Sequence, residues 1–313
     1  LLDGHSLLQA TWARSLRLAP AERILIVGSA AHEALYHEQL PDLPADNLLL
    51  EPEGKNTAPC IAWSVQEVLK REAEGVIVTL SADHAILNED EWFATMQDAA
   101  AYADQTCRLV NVGITPPDRA TRYGYMACRP GPVSSGGHEV YEVEQFVEKP
   151  ASDALDLLMS TGTVLRNMGM FAWRADVMQA ELERYLPAVA SSFGQLASGQ
   201  HALAETYANC PSISIDHGVS QKSERLSVIH SAVRRIDVGS YTAFASLWGT
   251  DEAGNAVQGA ARLLDVSESV IYAETGTDVR VIGLDNVVVA VDAGRVLVCP
   301  LGRAQDLKLF VDS

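Results

Sequence analysis

The stretch Val76-Ile77-Val78-Thr79-Leu80-Ser81-Ala82-Asp83-His84 decides the fold. Its first five residues form a continuous rather than alternating apolar run, as expected of a strand covered on both faces. Similar runs stand at residues 24–27 (ILIV), 48–50 (LLL) and 109–114 (LVNVGI), with helical patterns at 6–18, 30–39, 58–70 and 91–104. Strands that alternate with helices of this length predict a parallel, doubly wound α/β sheet. In such sheets ligands lie beyond the carboxyl ends of the strands, which makes the residues after each run the ones to read for chemistry.

From residue 123 the rhythm changes to strands without long helices, at 123–129, 141–148, 168–173, 226–230 and 233–238, predicted to extend the sheet with antiparallel members. Helices are expected at 154–159 and 175–186, the second stopped by Pro187. The polar, Gly-rich stretch from Gly249 reads as a linker over 249–262, which separates residues 1–248 from residues 263–313. The last segment repeats short apolar pieces, SVIYAE, VRVIGL, NVVVAV and RVLVCP. Roughly one short strand every 6–9 residues, with no helices to cover it, predicts a small β-solenoid.

Composition narrows the function classes. The 313 residues are 48% hydrophobic, enough for a sizeable core without metal or disulfide staples. Lys and Arg number 23 against 41 Asp and Glu, a formal charge of −18 that repels nucleic acid and anionic membranes. Five cysteines with no ligand spacing suggest reduced thiols. With no signal-peptide pattern and no apolar run long enough to span a bilayer, a cytoplasmic protein is expected.

Several signatures fail. GxGxxG and GxSxG do not occur, the Gly249-to-Gly254 spacing continues without the Lys-Ser/Thr of a phosphate-binding loop, and His32 and His37 are one residue too far apart to face one metal on a helix. Five segments remain at the ligand edge. Asn56-Thr57-Ala58-Pro59 either caps the following helix or offers N–H groups to an anion or a purine edge. Asp83 stands where a metal carboxylate belongs, with a simple cap as the alternative. Glu148-Lys149-Pro150 ends a strand with an acid beside a base, whose side chains serve one ligand only if the strand end twists. Ser214-Ile215-Asp216-His217 and Arg235-Ile236-Asp237 each set a carboxylate at a strand terminus; two such Asp distant in sequence suit a Mg²⁺ site for phosphoryl or nucleotidyl transfer.

Nine segments run in family order along nearly the whole chain. They are LDGHSLLQATWARS (2–15), EPEGKNTAPCIAW (51–63), LSADHAI (80–86), GITPPDRATRYGYM (113–126), VEQFVEKP (143–150), VLRNMGMFAW (164–173), SISIDHGVSQKSE (212–224), RIDVGSY (235–241) and VIGLDNVVVAVDAGRVLVC (281–299). In these the chain resembles the sugar-nucleotide pyrophosphorylases, in particular the bacterial mannose-1-phosphate guanylyltransferases. The resemblance implies a Rossmann-like, GT-A-like nucleotidyltransferase fold, a mixed sheet flanked by helices, followed by a left-handed β-helix-like domain. It implies transfer of GMP from GTP to mannose 1-phosphate, giving GDP-mannose and pyrophosphate, with Mg²⁺ as cofactor; the sequence leaves the oligomeric state open, a homodimer being one of the assemblies it allows. Two alternatives stay open: a non-catalytic nucleotide-sugar-binding paralogue, and a nucleotidyltransferase for another sugar 1-phosphate.

By the same resemblance, Asp83 and Asp237 are metal ligands and, with Lys149, the catalytic residues. His84, Gly124, Glu148, Asn167, Gly169 and Asp216 contact the sugar phosphate, and Asn56, Thr57, Ala58 and Pro59 serve the base. The family's Gly-rich loop, with its catalytic Arg, is expected ahead of Leu1. This chain departs from the family pattern at Ser81 for Pro, at Arg166 for Trp, and at Arg234-Arg235-Ile236 for aromatic-Trp-Ser.

Overall fold

The computed structural model describes residues 5–135, 137–238 and 241–311. Leu2, Asp3, Gly4, Gly239 and Ser240 of the quoted segments lie outside the described residues. The first half runs α1 (Leu7–Ser15), β1 (Ile26–Ser29), α2 (Glu33–Gln39), β2 (Leu48–Glu51), α3 (Thr57–Arg71), β3 (Val76–Thr79), β4 (His84–Ile86), α4 (Glu89–Thr106) and β5 (Leu109–Ile114). Next come β6 (Tyr125–Cys128), β7 (Ser134–Ser135), β8 (Glu139–Val147), α5 (Ser152–Met159), β9 (Val164–Arg174), α6 (Ala175–Tyr185), α7 (Pro187–Ala197), α8 (Leu203–Asn209) and β10 (Leu226–His230). The remainder is β11 (Arg235–Asp237), α9 (Tyr241–Trp248), β12 (Ala256–Gln258), β13 (Ala260–Leu264), β14 (Val270–Ala273), β15 (Asp278–Ile282), β16 (Val287–Asp292) and β17 (Arg295–Pro300).

These elements form two units: Leu8–Ala82 with Asn88–Arg234, and Leu1–Leu7 with Asp83–Leu87 and Arg235–Ser313. In the larger unit the α/β rhythm is as expected, but the parallel sheet is not continuous. β9, an eleven-residue strand, lies antiparallel between β3 and β5, where an all-parallel order was expected. The strand order is β10-β5-β9-β6-β8-β7, and β8 also pairs with β10, curling the sheet back on itself. Among the described residues only β10–β5 is a parallel pair in it. Such closure is invisible to local patterning because it depends on β8 pairing β10 through residues 140–142 and β6 through residues 143–147.

β1 and β2 form a separate parallel pair. The core lies under α3, α6, α7 and α8, where Trp63, Phe193 and Tyr207 make edge-on ring contacts. Met168, Met170, Phe171 and Trp173 of β9 are all buried, as strand core.

In the smaller unit β4 pairs antiparallel with β11. β12, β14 and β16 stack parallel with β17 antiparallel at the edge, while β13 and β15 form a second parallel pair. Val266, Ile271, Val279, Val281 and Val289 fill the space they share. The residues read as a linker at 249–262 contain β12 and most of β13. The polar stretch is a turn in which Asn255, buried, donates to the Val266 carbonyl and accepts from the Ser269 N–H. Gly259 makes the corner at φ +92°, where a Cβ would lie 2.0 Å from the Ala273 carbonyl oxygen. Likewise the boundary falls after Arg234 rather than Trp248, since Tyr241, Ala245 and Trp248 of α9 pack on Ala256, Val270 and Val288.

Candidate active site

In the larger unit the expected residues meet at the end of β8. Lys149 sits at φ +49°, a left-handed conformation that the following Pro150 makes doubly unfavourable, and its N–H donates to the Tyr123 carbonyl at 3.2 Å. This turn supplies the twist a regular strand lacks, and it brings Lys149 Nζ to 3.2 Å from Glu148 Oε1. Glu148 is held by Gln221, whose Oε1 accepts from the Glu148 N–H at 3.3 Å. Strained backbone of this kind costs roughly 1–3 kcal/mol and persists where surrounding contacts enforce it.

Gly124 lies against the same carboxylate. A Cβ there would stand 2.5 Å from Glu148 Oε2 and 2.9 Å from the Phe146 ring, so only glycine fits without displacing Glu148. The Gly124 carbonyl accepts from the Asn167 N–H at 2.8 Å. Asn167 then spreads its amide in two directions: Nδ2 donates to Asp216 Oδ1 at 3.0 Å, and Oδ1 accepts from the Gly169 N–H at 3.0 Å. Glu148, Lys149, Asn167, Gly169, Asp216 and Gly124 thus form one connected cluster, a polar wall beside an exposed cation.

Burial, followed by the neighbouring Glu148 charge, raises the Asp216 carboxyl to about 6, against the pull of its bond from Asn167. A folded carboxyl that binds its proton more tightly than the unfolded one makes stability fall as pH rises from about 4 to about 6, and leaves a constant deficit above that. Asp216→Asn keeps the acceptor oxygen for Asn167 and removes the charge. Its melting temperature is therefore expected to match the unaltered chain near pH 4 and to exceed it above pH 7, by the equivalent of up to about 3 kcal/mol. Thermal melts of both proteins across that range check this; a gain that is the same at every pH would contradict it.

Asn56 to Pro59 take a different role. Asn56, at φ +68°, caps α3 through Oδ1, which accepts from the Thr57 N–H. The Ala58 N–H donates to the Ile213 carbonyl and Thr57 Oγ1 accepts from the Ile215 N–H. Ala58 and Pro59 are buried in the core. Two of the N–H groups expected to meet an anion are therefore occupied, and the loop braces the segment that carries Asp216; only Asn56 and Thr57 of the four keep exposed surface.

In the smaller unit the β4–β11 register sets Asp237 opposite His84. His84 Nε2 lies 3.5 Å from Asp83 Oδ1 and 3.4 Å from Asp237 Oδ1, so the half-buried imidazole gathers both carboxylates. Arg235, where the family pattern has Trp, also grips Asp237, with Nε 2.8 Å from Oδ1 and Nη2 3.1 Å from Oδ2. Asp237 Oδ1 is shared by His84 and Arg235, whereas Asp237 Oδ2 and Asp83 Oδ1, with one neighbouring donor each, keep a second lone pair. Two hard-oxygen ligands on an open ribbon suit a divalent cation that retains water or substrate oxygens as its other ligands. Among the described residues no group of three or more His, Cys, Asp or Glu is arranged to cage a metal.

Sequence reasoning passed over Gln221 and Tyr123 as site residues, although both lie inside quoted segments, because their contributions are a backbone-directed bond and a backbone carbonyl. All five cysteines are free, and burial pushes the thiols of Cys60 and Cys128 up to about 12, which leaves these two inert as nucleophiles. Among the described residues no helix is long and apolar enough to cross a membrane.

The nucleotidyl transferase family profile matches residues 1–209. The chain is 33% identical over 320 residues to the xanthan biosynthesis protein XanB of Xanthomonas campestris pv. campestris (strain B100), covering 99% of this chain and 66% of that one. It is 30% identical over 326 residues to mannose-1-phosphate guanylyltransferase 2 of Escherichia coli O157:H7, covering 100% of this chain and 67% of that one. The chain spans about two thirds of the length of these curated relatives. A crystal structure described as mannose-1-phosphate geranyltransferase from Thermus thermophilus superposes with a TM-score of 0.88 at 32% identity, over 100% of this chain and 90% of that one. Ordered motifs, an α/β fold of mixed sheets and these likenesses agree, and the chain belongs to the nucleotidyl transferase family, on its mannose-1-phosphate guanylyltransferase branch.

Proposed function

We propose that the protein transfers GMP from GTP to mannose 1-phosphate, releasing pyrophosphate and forming GDP-mannose, with Mg²⁺ as its metal. Enzymes of this family generally act with a divalent metal ion. The observation that carries the reading is the cluster around Gly124, in which Glu148, Asn167 and Asp216 offer a wall of hydrogen-bond acceptors and donors suited to sugar hydroxyls, beside the exposed cation of Lys149 suited to the sugar phosphate.

The acceptor phosphate is already ionised at neutral pH, so the chemistry needs no side-chain nucleophile. The protein's share is positioning and charge neutralisation. Glu148 and Asn167 orient the sugar ring, and Lys149, its exposed ammonium held at the wall by the ion pair with Glu148, neutralises the attacking phosphate. Asp83 and Asp237 hold the metal, with His84 fixing the spacing of the two carboxylates. Mg²⁺, when bound, supplies neutralisation of the phosphate charge. Base recognition is assigned to the exposed Asn56 and Thr57.

The same reading covers the rest of the molecule. β1 pairs only with β2 and β3 only with β9 among the described residues, and both runs are merely half-buried despite their apolar side chains, which supports a further strand beside them. The parallel stacking of β12, β14 and β16 beside β13 and β15 supports a short left-handed β-solenoid. The exposed Val296 and Val298 on the edge strand β17 support a homodimer, and the reading places the enzyme in the cytoplasm.

The test is a pyrophosphate-release assay of the full-length protein with GTP, ATP, UTP and dTTP, each paired with mannose 1-phosphate and with glucose 1-phosphate. GTP with mannose 1-phosphate is expected to give the highest kcat/KM. The margin is expected to be roughly tenfold to a hundredfold, because a wrong C2 epimer or base leaves buried polar groups unpaired at about 1–3 kcal/mol each. A preference for UTP or dTTP with glucose 1-phosphate overturns the substrate assignment.

A further inference from the structure

Arg166 stands on β9 immediately before Asn167, paired with Tyr125 of β6, where the family pattern has Trp. Its side chain is 11% exposed. Its guanidinium lies 4.4 Å from the centroid of the Tyr123 ring, and Arg122 covers the same ring at 4.8 Å, so Tyr123 is in contact with two cations. Arg166 Nη1 is 3.5 Å from Asp118 Oδ1, a loose ion pair, and Arg166 Nε is buried without a hydrogen-bond partner. A buried cation this poorly paired is costly, and a purely structural position is better served by an aromatic or aliphatic side chain of similar volume.

What the guanidinium touches explains its place. The segment it contacts, Asp118 to Tyr123, is also pinned by the Tyr125 hydroxyl, which donates to the Ala120 carbonyl at 2.8 Å. At its end stand the two backbone carbonyls from which the acceptor wall hangs: the Tyr123 carbonyl takes the Lys149 N–H and the Gly124 carbonyl takes the Asn167 N–H. Stacking on the Tyr123 ring restricts its rotation, and the restriction passes through the peptide to both carbonyls.

We propose that Arg166 is a positioning residue for the acceptor side of the reaction: through Tyr123 it holds the carbonyls that set the backbone of Lys149 and Asn167, and so decides how tightly a sugar 1-phosphate is bound. The inference deepens the proposed function and rests on it for the identity of the ligand, but not for the mechanical coupling.

The experiment compares Arg166→Met, which keeps volume and stem packing and loses the cation, with Arg166→Lys and Tyr123→Leu. In the full-length protein Arg166→Met is expected to raise KM for mannose 1-phosphate about tenfold, with KM for GTP and kcat each within about threefold of the unaltered enzyme. Arg166→Lys, which retains a cation over the ring, is expected to recover part of that loss. Tyr123→Leu should give a similar rise that Arg166→Met does not deepen, as two parts of one device. Hydrogen exchange at the Lys149 and Asn167 amides is expected to speed up about tenfold in Arg166→Met at a melting temperature equal to or above that of the unaltered protein, a readout that needs no turnover. Equal loss on both substrates together with a fall in melting temperature, or unaltered exchange at both amides, overturns the proposal. Should glucose 1-phosphate prove the better acceptor, a rise confined to that acceptor's KM and the faster exchange would still uphold the role of Arg166 while the substrate assignment falls.

Discussion

Asp237→Asn is expected to lower turnover by two or more orders of magnitude and to leave the fold intact. The substitution is isosteric, so the β4–β11 pairing and the packing of α9 are untouched. What changes is charge. A neutral amide offers a divalent cation one weak carbonyl oxygen in place of an anion, and hard cations take their affinity from anionic oxygens. Asp83, whose side chain is 81% exposed, then remains as the carboxylate beside His84. Removing one of two ligands weakens the metal, and losing its neutralisation of the transferring phosphates reduces a term that is usually the largest in such catalysis. The expected result is a low kcat, a metal requirement moved to higher concentration, and a melting temperature within a few degrees of the unaltered protein. Turnover titrated with Mg²⁺ beside a thermal melt checks it. Unchanged metal dependence would falsify the assignment of Asp237.

Gly124→Ala is expected to cost about a hundredfold in kcat/KM, mostly through the KM for the sugar phosphate. The added methyl has no space: it meets a carboxylate oxygen at 2.5 Å and an aromatic carbon at 2.9 Å. Phe146 is buried in the core and cannot withdraw, so Glu148 must move, and with it the ion pair that orients Lys149. Displacements of about 1 Å at a positioning group are enough for losses of this size. Glu148→Asp shortens the clashing side chain by one methylene. In the double variant the two losses are therefore expected to be less than additive, whereas independent damage to folding gives plain additivity and a lowered melting temperature.

Much of this site could be read from the chain. Glu148, Lys149, Asn167 and Asp216 stood at strand ends or in quoted segments, and the structure joins them by direct contacts. Asp83 and Asp237, far apart in the sequence, were paired only through the family resemblance, the residues alone having set Asp237 beside Asp216; in the structure one imidazole lies within 3.5 Å of both Asp83 and Asp237. The segment of Asn56 to Pro59 was legible as a helix start, but whether its N–H groups faced a ligand was not. That depended on Ile213 arriving from the far side of the chain, where its carbonyl accepts from the Ala58 N–H while the Ile215 N–H donates to Thr57 Oγ1. The polar stretch at 249–262 misled because turn composition is shared by linkers and by tight coils. Only the close approach at Gly259 and the Asn255 bonds tell them apart.

Local chemistry determined where strands and helices begin, which residues are core, and which side chains carry reactive charge, since each depends on neighbours within a turn or two of the chain. Tertiary structure decided the rest: β9 lies between β3 and β5, β8 closes the sheet onto β10, and Arg166 rests on Tyr123. Strand partners and ring contacts of that kind are set by which distant surfaces bury the most apolar area and leave the fewest polar groups unpaired, a balance struck over the whole fold and absent from any single stretch of sequence.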